Sequence, residues 1–428
     1  MRRLTTFKKI LIVLTVSAFA VVGTAYAKVL LTIPGEIVLI EGEEYIYDIN
    51  SLFPLSIKAD TDGILKINGR SVDTTANHIG FSRPVSLCSS KGGSVKLNFT
   101  FFGLLPVKTV NVDIVSNKQV IACGNTVGVK LKLDGILVIG ISDVVNNGQK
   151  SVPVRNSGIK PGYVITHIND RAIQDIEELV SEIDKSGGKP LKITYRTGTG
   201  RFDAMISPAV SSDDKKYHIG LWVRDSTAGI GTLTFYDSTN HLFGALGHGI
   251  TDIDTSTLMS VKSGEILESS ILGVKRGESG EPGELKGIFA EDTRLGVIDL
   301  NSDIGIYGKL DENALDRIPG KLYPVGVRAD ITEGPATILS NIEGKNIEEY
   351  SIDIQKVSRQ NLNGSKGMII KVTDSRMLET TGGIVQGMSG SPIIQKGKII
   401  GAVTHVLVND PTRGYGIFIE TMLKNTTR

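Results

Sequence analysis

Gly382-Gly383-Ile384-Val385-Gln386-Gly387-Met388-Ser389-Gly390-Ser391-Pro392-Ile393-Ile394-Gln395 is the stretch from which the rest of the chain is best read. Apolar residues lead into a tight Gly387-Met388-Ser389-Gly390 turn, and an apolar run leads out of it. Glycine on either side lets the backbone turn sharply and come close to a ligand carbonyl. In that setting Ser389 is a candidate nucleophile, and the amides of Gly387 and Ser389 are candidate oxyanion donors. A plain glycine–serine β-turn is the alternative reading of the same residues.

The 428 residues of the whole chain are 40% hydrophobic and 22% charged, with 49 glycines, which fits a loop-rich protein of β character with two or three domains. A net charge of +1 leaves no electrostatic footprint for nucleic acid. Arg2, Arg3, Lys8 and Lys9 precede an apolar run from Ile10 to Ala27, the arrangement of a targeting segment or an uncleaved membrane anchor. Ala25-Tyr26-Ala27 offers a signal-peptidase site. Residues 1–27 are therefore read as signal or anchor, and the remainder is expected to work outside the cytoplasm. Cys88 and Cys123 are the only cysteines; two free thiols are the simpler expectation, although an oxidising compartment would allow one disulfide. With two cysteines and six scattered histidines, neither a metal nor another cofactor is expected.

From 28 to 119, short apolar runs alternate with turn residues. Val107-Lys108-Thr109-Val110-Asn111-Val112-Asp113-Ile114 has the period of two of a half-buried strand, and the segment reads as a small all-β domain. Residues 120–208 change character. Asn156-Ser157-Gly158-Ile159-Lys160-Pro161-Gly162 and Ile168-Asn169-Asp170 precede an amphipathic helix over 175–185, with Ile176, Leu179, Val180 and Ile183 on one face. Gly187-Gly188 stops the helix before a strand from Leu191 to Tyr195. This order resembles a PDZ domain, an α+β fold, of the circularly permuted bacterial kind. The resemblance implies that the loop Gly124–Gly128 offers amides to a carboxylate. It also implies that Val129 and Leu131, on the strand 129–133, flank a groove to which a peptide adds as a strand. Beyond the polar stretch 211–216, residues 209–428 read as short strands with glycine turns, a barrel or sandwich.

Within that last region His248 stands between Gly247 and Gly249 after an apolar strand. A histidine can take a proton from a serine and return it near neutral pH. Two carboxylates compete to orient it: Asp374, 15 residues before Ser389, and Asp303, 55 residues after His248. Gly-His-Gly-Ile-Thr-Asp (247–252), Val-Thr-Asp (372–374), the stretch 381–395 and Ile-Gly-Ala-Val-Thr-His-Val-Leu-Val-Asn-Asp-Pro-Thr (400–412) together resemble serine peptidase family S55, the stage IV sporulation protein B peptidases of spore-forming Firmicutes. What that resemblance implies is a chymotrypsin-like double β-barrel. Such proteins act in the intermembrane space around the forespore, cleave themselves, and cleave a membrane-bound regulator of a sigma-factor-activating protease. By the same resemblance His248 is the base, Ser389 the nucleophile and Asp374 the orienting acid. Barrel topology instead favours Asp303, and both remain open at this point.

Met388 departs from the acidic residue of trypsin-like enzymes, so activation by an ion pair to a new N-terminus is not expected. His405 is read as a subsite or core residue on the strand 399–406, with Gly414-Tyr415-Gly416 along the far wall. No acidic residue marks a pocket for basic side chains. The expected partners are a protein substrate, the chain itself and, through the N-terminus, the inner membrane. The competing reading is a PDZ-bearing adaptor whose barrel binds peptide without cutting it.

Overall fold

The apolar N-terminal run forms one unbroken helix, α1 (Arg2–Thr32). Its segment Phe7–Thr32 is long and apolar enough to cross a membrane, and a helix satisfies its own backbone in lipid. The computed structural model describes residues 2–49, 51–72, 77–79, 84–115, 118–358 and 364–426. Of the basic flank, Lys8 and Lys9 are exposed, while the side chains of Arg2 and Arg3 lie outside the described residues. The last turns of α1 dock on protein. Ala25, Val29 and Ile33, four residues apart, are buried, and Lys108 Nζ donates to the terminal carbonyls of Leu30 (3.2 Å) and Ile33 (2.6 Å), a cation satisfying a helix C-terminus. The Ala25–Ala27 segment therefore sits inside a continuous helix.

The unit after α1 is all β. Strands 36–40, 105–115, 93–101, 55–59 and 77–79 form one sheet, and strands 44–48, 84–89, 65–67 and 70–71 a second. Strand 93–101 alternates buried Val95, Leu97, Phe99 and Phe101 with outward residues, the burial pattern of a sheet with one face on the core. The expected boundary between residues 119 and 120 falls inside the strand Gln119–Ala122, which pairs with strands 221–236 and 321–324. Cys88 belongs to this unit and Cys123 is buried beyond it; both are free thiols.

Next come strands β1 (Thr126–Ile141), β2 (Leu221–Tyr236), β3 (Leu242–Ala245), β4 (Val261–Lys275), β5 (Glu284–Ser302) and β6 (Gly305–Leu310). They pair in the ring β1-β4-β5-β6-β3-β2, closed by β2 on β1. Val127, Val129, Leu131, Leu233, Phe243 and Ile306 fill its interior. A second ring follows: β7 (Gly334–Glu343), β8 (Asn346–Val357), β9 (Met368–Val372), β10 (Pro392–Gln395), β11 (Lys398–Leu407) and β12 (Asp410–Phe418). It closes as a barrel in the order β7-β8-β9-β12-β11-β10, around Ile338, Ile352, Ile370, Val403 and Phe418. The fold is mainly β, with two six-stranded rings, as expected.

The α+β unit sits differently from the sequence reading. Its core joins Ile136 and Val138, at the far end of β1, to Ile165, Leu179, Ile183 and Ile193. Helix α2 (Ile176–Lys185) is capped by Asp175, which accepts from Glu178 N, close to the expected helix. Strands β1 and β2 each run from this unit into the first barrel. Asp134 and Gly135 (φ +107°) let β1 bulge between its two halves. The unit is thus an insertion between two barrel strands, and residues 126–133 belong to the barrel.

Candidate active site

The base candidate is placed by backbone geometry open mainly to glycine. Leu246 (φ +67°) and Gly247 (φ +70°) turn the chain sharply after β3. A Cβ at Gly247 would lie 2.8 Å from Thr404 Cγ2, and one at Gly249 2.7 Å from the Ser302 carbonyl. Asn301 clasps the same loop: its Oδ1 accepts from Ile250 N at 2.8 Å, and its Nδ2 donates to the carbonyls of Ile250 and Met259. His248 is thereby held with its Nδ1 at 2.9 Å from the Gly249 carbonyl. A carbonyl only accepts, so Nδ1 carries the proton and Nε2 keeps its lone pair. Burial lowers the His248 pKa, and the Gly249 bond partly offsets this; the ring is neutral near pH 7.

Ser389 lies in the turn between Gly387 (φ +97°) and Gly390 (φ +100°). A Cβ at Gly390 would come within 2.1 Å of the Thr232 carbonyl, so only glycine fits there. Thr232, fully buried on β2, holds the turn from beneath. Its Oγ1 donates to the Gly387 carbonyl at 2.7 Å and its N–H to the Ser389 carbonyl at 3.0 Å. The Gln386 carbonyl accepts from Leu285 N, and the Met388 carbonyl from Ser391 N. A trans peptide sets N–H opposite C=O, so the amides of Gly387 and Ser389 turn the other way. Among the described residues neither donates a hydrogen bond within the protein. Met388 is fully buried in the second barrel's core.

His248, Ser389, Gly387, Thr404, His405 and Asp303 line one cleft of about 650 Å³ between the two barrels. In the resting arrangement Ser389 Oγ donates to the Thr404 carbonyl at 2.6 Å, and no bond joins it to His248. The rings of His248 and His405 are 4.8 Å apart. Burial, then the neighbouring His248 and Lys366, push the His405 pKa down to about 4, and its Nδ1 is buried without a partner among the described residues. His405 therefore borders the cleft.

Two sequence expectations are corrected. Asp374 does not line the cleft. It caps helix α3 (Ser375–Thr381), accepting from Arg376 N at 3.0 Å, from the Arg376 guanidinium, and from Ser351 N at 3.2 Å. The Arg376 bonds hold its carboxyl below the usual range. Its carboxylate is thus committed elsewhere, whereas Asp303 is exposed at the cleft. The second correction concerns Gly124, Gly128, Val129 and Leu131. Residues 127–132 of β1 pair with β2 on one edge and β4 on the other, so no edge is left for a peptide. A Cβ at Gly124 would meet Leu339, and one at Gly128 the Phe289 ring at 2.5 Å; these glycines serve close packing. Sequence reasoning also missed Thr232, Asn301 and the Gly249 carbonyl. Only the small-residue run Gly229-Ile230-Gly231-Thr232 hinted at a close approach.

Residues 215–423 match the family model described as SpoIVB peptidase S55. Over that region, just under half of the chain, the protein is similar to the S55 peptidases. The S55 region covers all of β2 through β12, and with them both candidate catalytic side chains. Among solved structures, the chain is similar to the PDZ domain of an SdrC-like protein from Listeria monocytogenes. That likeness has 25% identity and a TM-score of 0.18, covering 22% of this chain and 90% of that one. It is also similar to the Rv3671c protease in an inactive form, at 15% identity and TM-score 0.26, covering 46% of this chain and 83% of that one.

Proposed function

We propose that this chain is an S55 serine endopeptidase in which Ser389 is the nucleophile, His248 the general base and the amides of Gly387 and Ser389 the oxyanion hole. The observation that carries the reading is the convergence of those four groups on one cleft. In the reaction, Ser389 Oγ attacks the substrate carbonyl while its proton passes to His248 Nε2. The oxygen that gains charge is met by the two free amides. His248 then returns the proton to the leaving amine, and water repeats the cycle on the acyl-enzyme. The Gly249 carbonyl fixes the tautomer needed for this, and Asp303, at the rim of the same cleft, is the carboxylate that stabilises the imidazolium.

Reaction requires the Ser389 hydroxyl to rotate from the Thr404 carbonyl toward His248. That resting bond is also what a peptide-binding adaptor without activity would display. In the proposed setting α1 holds the chain to the inner membrane, with the peptidase in the space between the forespore membranes. There it cuts itself and a membrane-bound sporulation regulator. The test is proteolysis by the purified chain beside Ser389→Ala. Loss of self-cleavage in the variant, with unchanged circular dichroism, is expected; retained cleavage removes Ser389 from the nucleophile role.

A further inference from the structure

Strand β2 is continuous for 16 residues, Leu221–Tyr236, and serves three regions in turn. At its start Leu221 and Val223 pack into the core of the inserted α+β unit. In its middle Thr227, Ala228, Gly229 and Ile230 form a wall of the catalytic cleft. Beyond them Thr232 holds the Ser389 turn. One edge of β2 is paired with β1 from Leu221 to Thr232. The other edge is paired by β3 only from Leu233 onward, with Thr232 just before it bonded to Ser389 and Leu246; strand 119–122 continues the β1 edge. Among the described residues, Leu221–Ile230 therefore presents an open row of backbone donors and acceptors that leads into the cleft.

Such an edge invites another strand unless something blunts it. Here nothing does. Proline is absent from this stretch, and Ser226, Ala228 and Gly229 are small and exposed. A Cβ at Gly229 would meet nothing within 4 Å, so internal packing does not require a glycine there. Beside the first half of the edge stands α2, tied to β2 by the Ile176 N–H, which donates to Asp225 Oδ2 at 3.0 Å. Ile176 and Val180, one turn apart, put apolar side chains on one side of that helix. Val180 is 43% exposed, and Trp222 on the edge strand 63%. The edge ends at Gly220, where φ is +76° and a Cβ would strike the Ser142 carbonyl at 2.6 Å.

We propose that the substrate chain downstream of the scissile bond lies on this edge as one added strand. It would run from the cleft at Gly229 to the α2 groove at Leu221. The inference rests on the serine peptidase reading and adds to it a requirement on substrate length. The acyl side then lies on the opposite wall, at Thr404 and His405, which are unpaired between Val403 and Val406 of β11. About eight residues at about 3.3 Å each span the edge, roughly 26 Å. A substrate that satisfies both ends is an extended, unfolded segment with about eight to ten residues after the cut and an apolar side chain near its end, against Val180. Backbone pairing along the edge supplies affinity with little demand on sequence, and the groove supplies the selection.

The experiment uses the full chain in detergent and peptides of one upstream sequence, with about four, ten or sixteen residues after the scissile bond. The expected kcat/KM rises about tenfold from four to ten residues, mostly through KM, and then levels off. Val180→Asp, an exposed change, flattens that profile by lowering kcat/KM for the ten- and sixteen-residue tails. Trp222 is the only tryptophan, so its emission reads binding even in Ser389→Ala. Ten-residue tails should shift it and four-residue tails should not. Binding with this length dependence but no cleavage by the wild-type chain keeps the strand path and removes the peptidase reading. Cleavage that ignores downstream length, or Trp222 emission indifferent to it, overturns the strand path and leaves the peptidase reading intact.

Discussion

Replacing Thr232 by valine keeps the shape of a fully buried side chain and removes one hydroxyl. That hydroxyl donates to the Gly387 carbonyl at 2.7 Å, so its loss frees the peptide plane next to a proposed oxyanion donor. The main-chain bonds of Thr232, to the Ser389 carbonyl at 3.0 Å and from Leu246 N at 3.2 Å, survive the change, and the turn stays anchored at one side. One lost neutral hydrogen bond costs about 0.5–1.5 kcal/mol of stability. If the same energy is lost from the aligned state of the turn, the rate falls about two- to twelvefold. The ceiling is the loss of a whole oxyanion donor, about 10²–10³-fold. The assay is the second-order rate at which a fluorophosphonate labels the enzyme, beside urea unfolding of the same samples. Thr232→Ser, which retains the hydroxyl, should label at close to the wild-type rate. A valine variant that labels as fast as the wild type would refute the claim that Thr232 positions the site.

The carboxylates separate cleanly. Asp303→Asn should lower kcat/KM and leave stability unchanged, whereas Asp374→Asn should preserve activity and lose about 1 kcal/mol of helix-cap stability by urea titration. Gly128→Ala drives a methyl into the Phe289 ring and should destabilise the first barrel by about 1–3 kcal/mol, read as a lower Tm, without weakening peptide binding at the α2 groove. His405 gives a pH signature. The folded ring stays neutral down to about pH 4, while the unfolded ring takes a proton below about 6.5. Stability is therefore full above pH 6.5 and is lost as pH falls toward 4. The difference is at most about 3 kcal/mol, and about half of that once solvent reaching this partly exposed ring is allowed for. His405→Phe should flatten the unfolding free energy measured across that window.

Ser389 and His248 stand out in the sequence as candidates because each lies among glycines that the backbone cannot replace, at φ +97° and +100° around the serine and +70° before the histidine. Strand periods and the one amphipathic helix were legible for the same kind of reason: they are local. Asp374 could be read two ways because an aspartate that ends a strand looks alike whether it caps the next helix or faces a histidine; in this structure it caps α3. The nearby Arg376, two residues on, was the available sign of a cap. Gly124 and Gly128 were assigned to a ligand loop, yet what fixes them is Leu339 and Phe289, both more than 150 residues away in the chain. The insertion of the α+β unit between β1 and β2 was hidden similarly. Asp134-Gly135 interrupts the alternation of β1 only as a bulge would, and the pairing of β2 back onto β1 is what exposes the insertion.

The most direct measurement is the position of a covalent adduct. The full-length chain is treated with a fluorophosphonate and digested, and the modified residue is located by mass spectrometry. His248→Ala is treated in parallel. The expected result is a single adduct on Ser389 in the wild-type chain and a labelling rate near background in the His248 variant. An adduct on another serine, or equal labelling of Ser389 with and without the imidazole, would contradict the assignment of this cleft as the catalytic site.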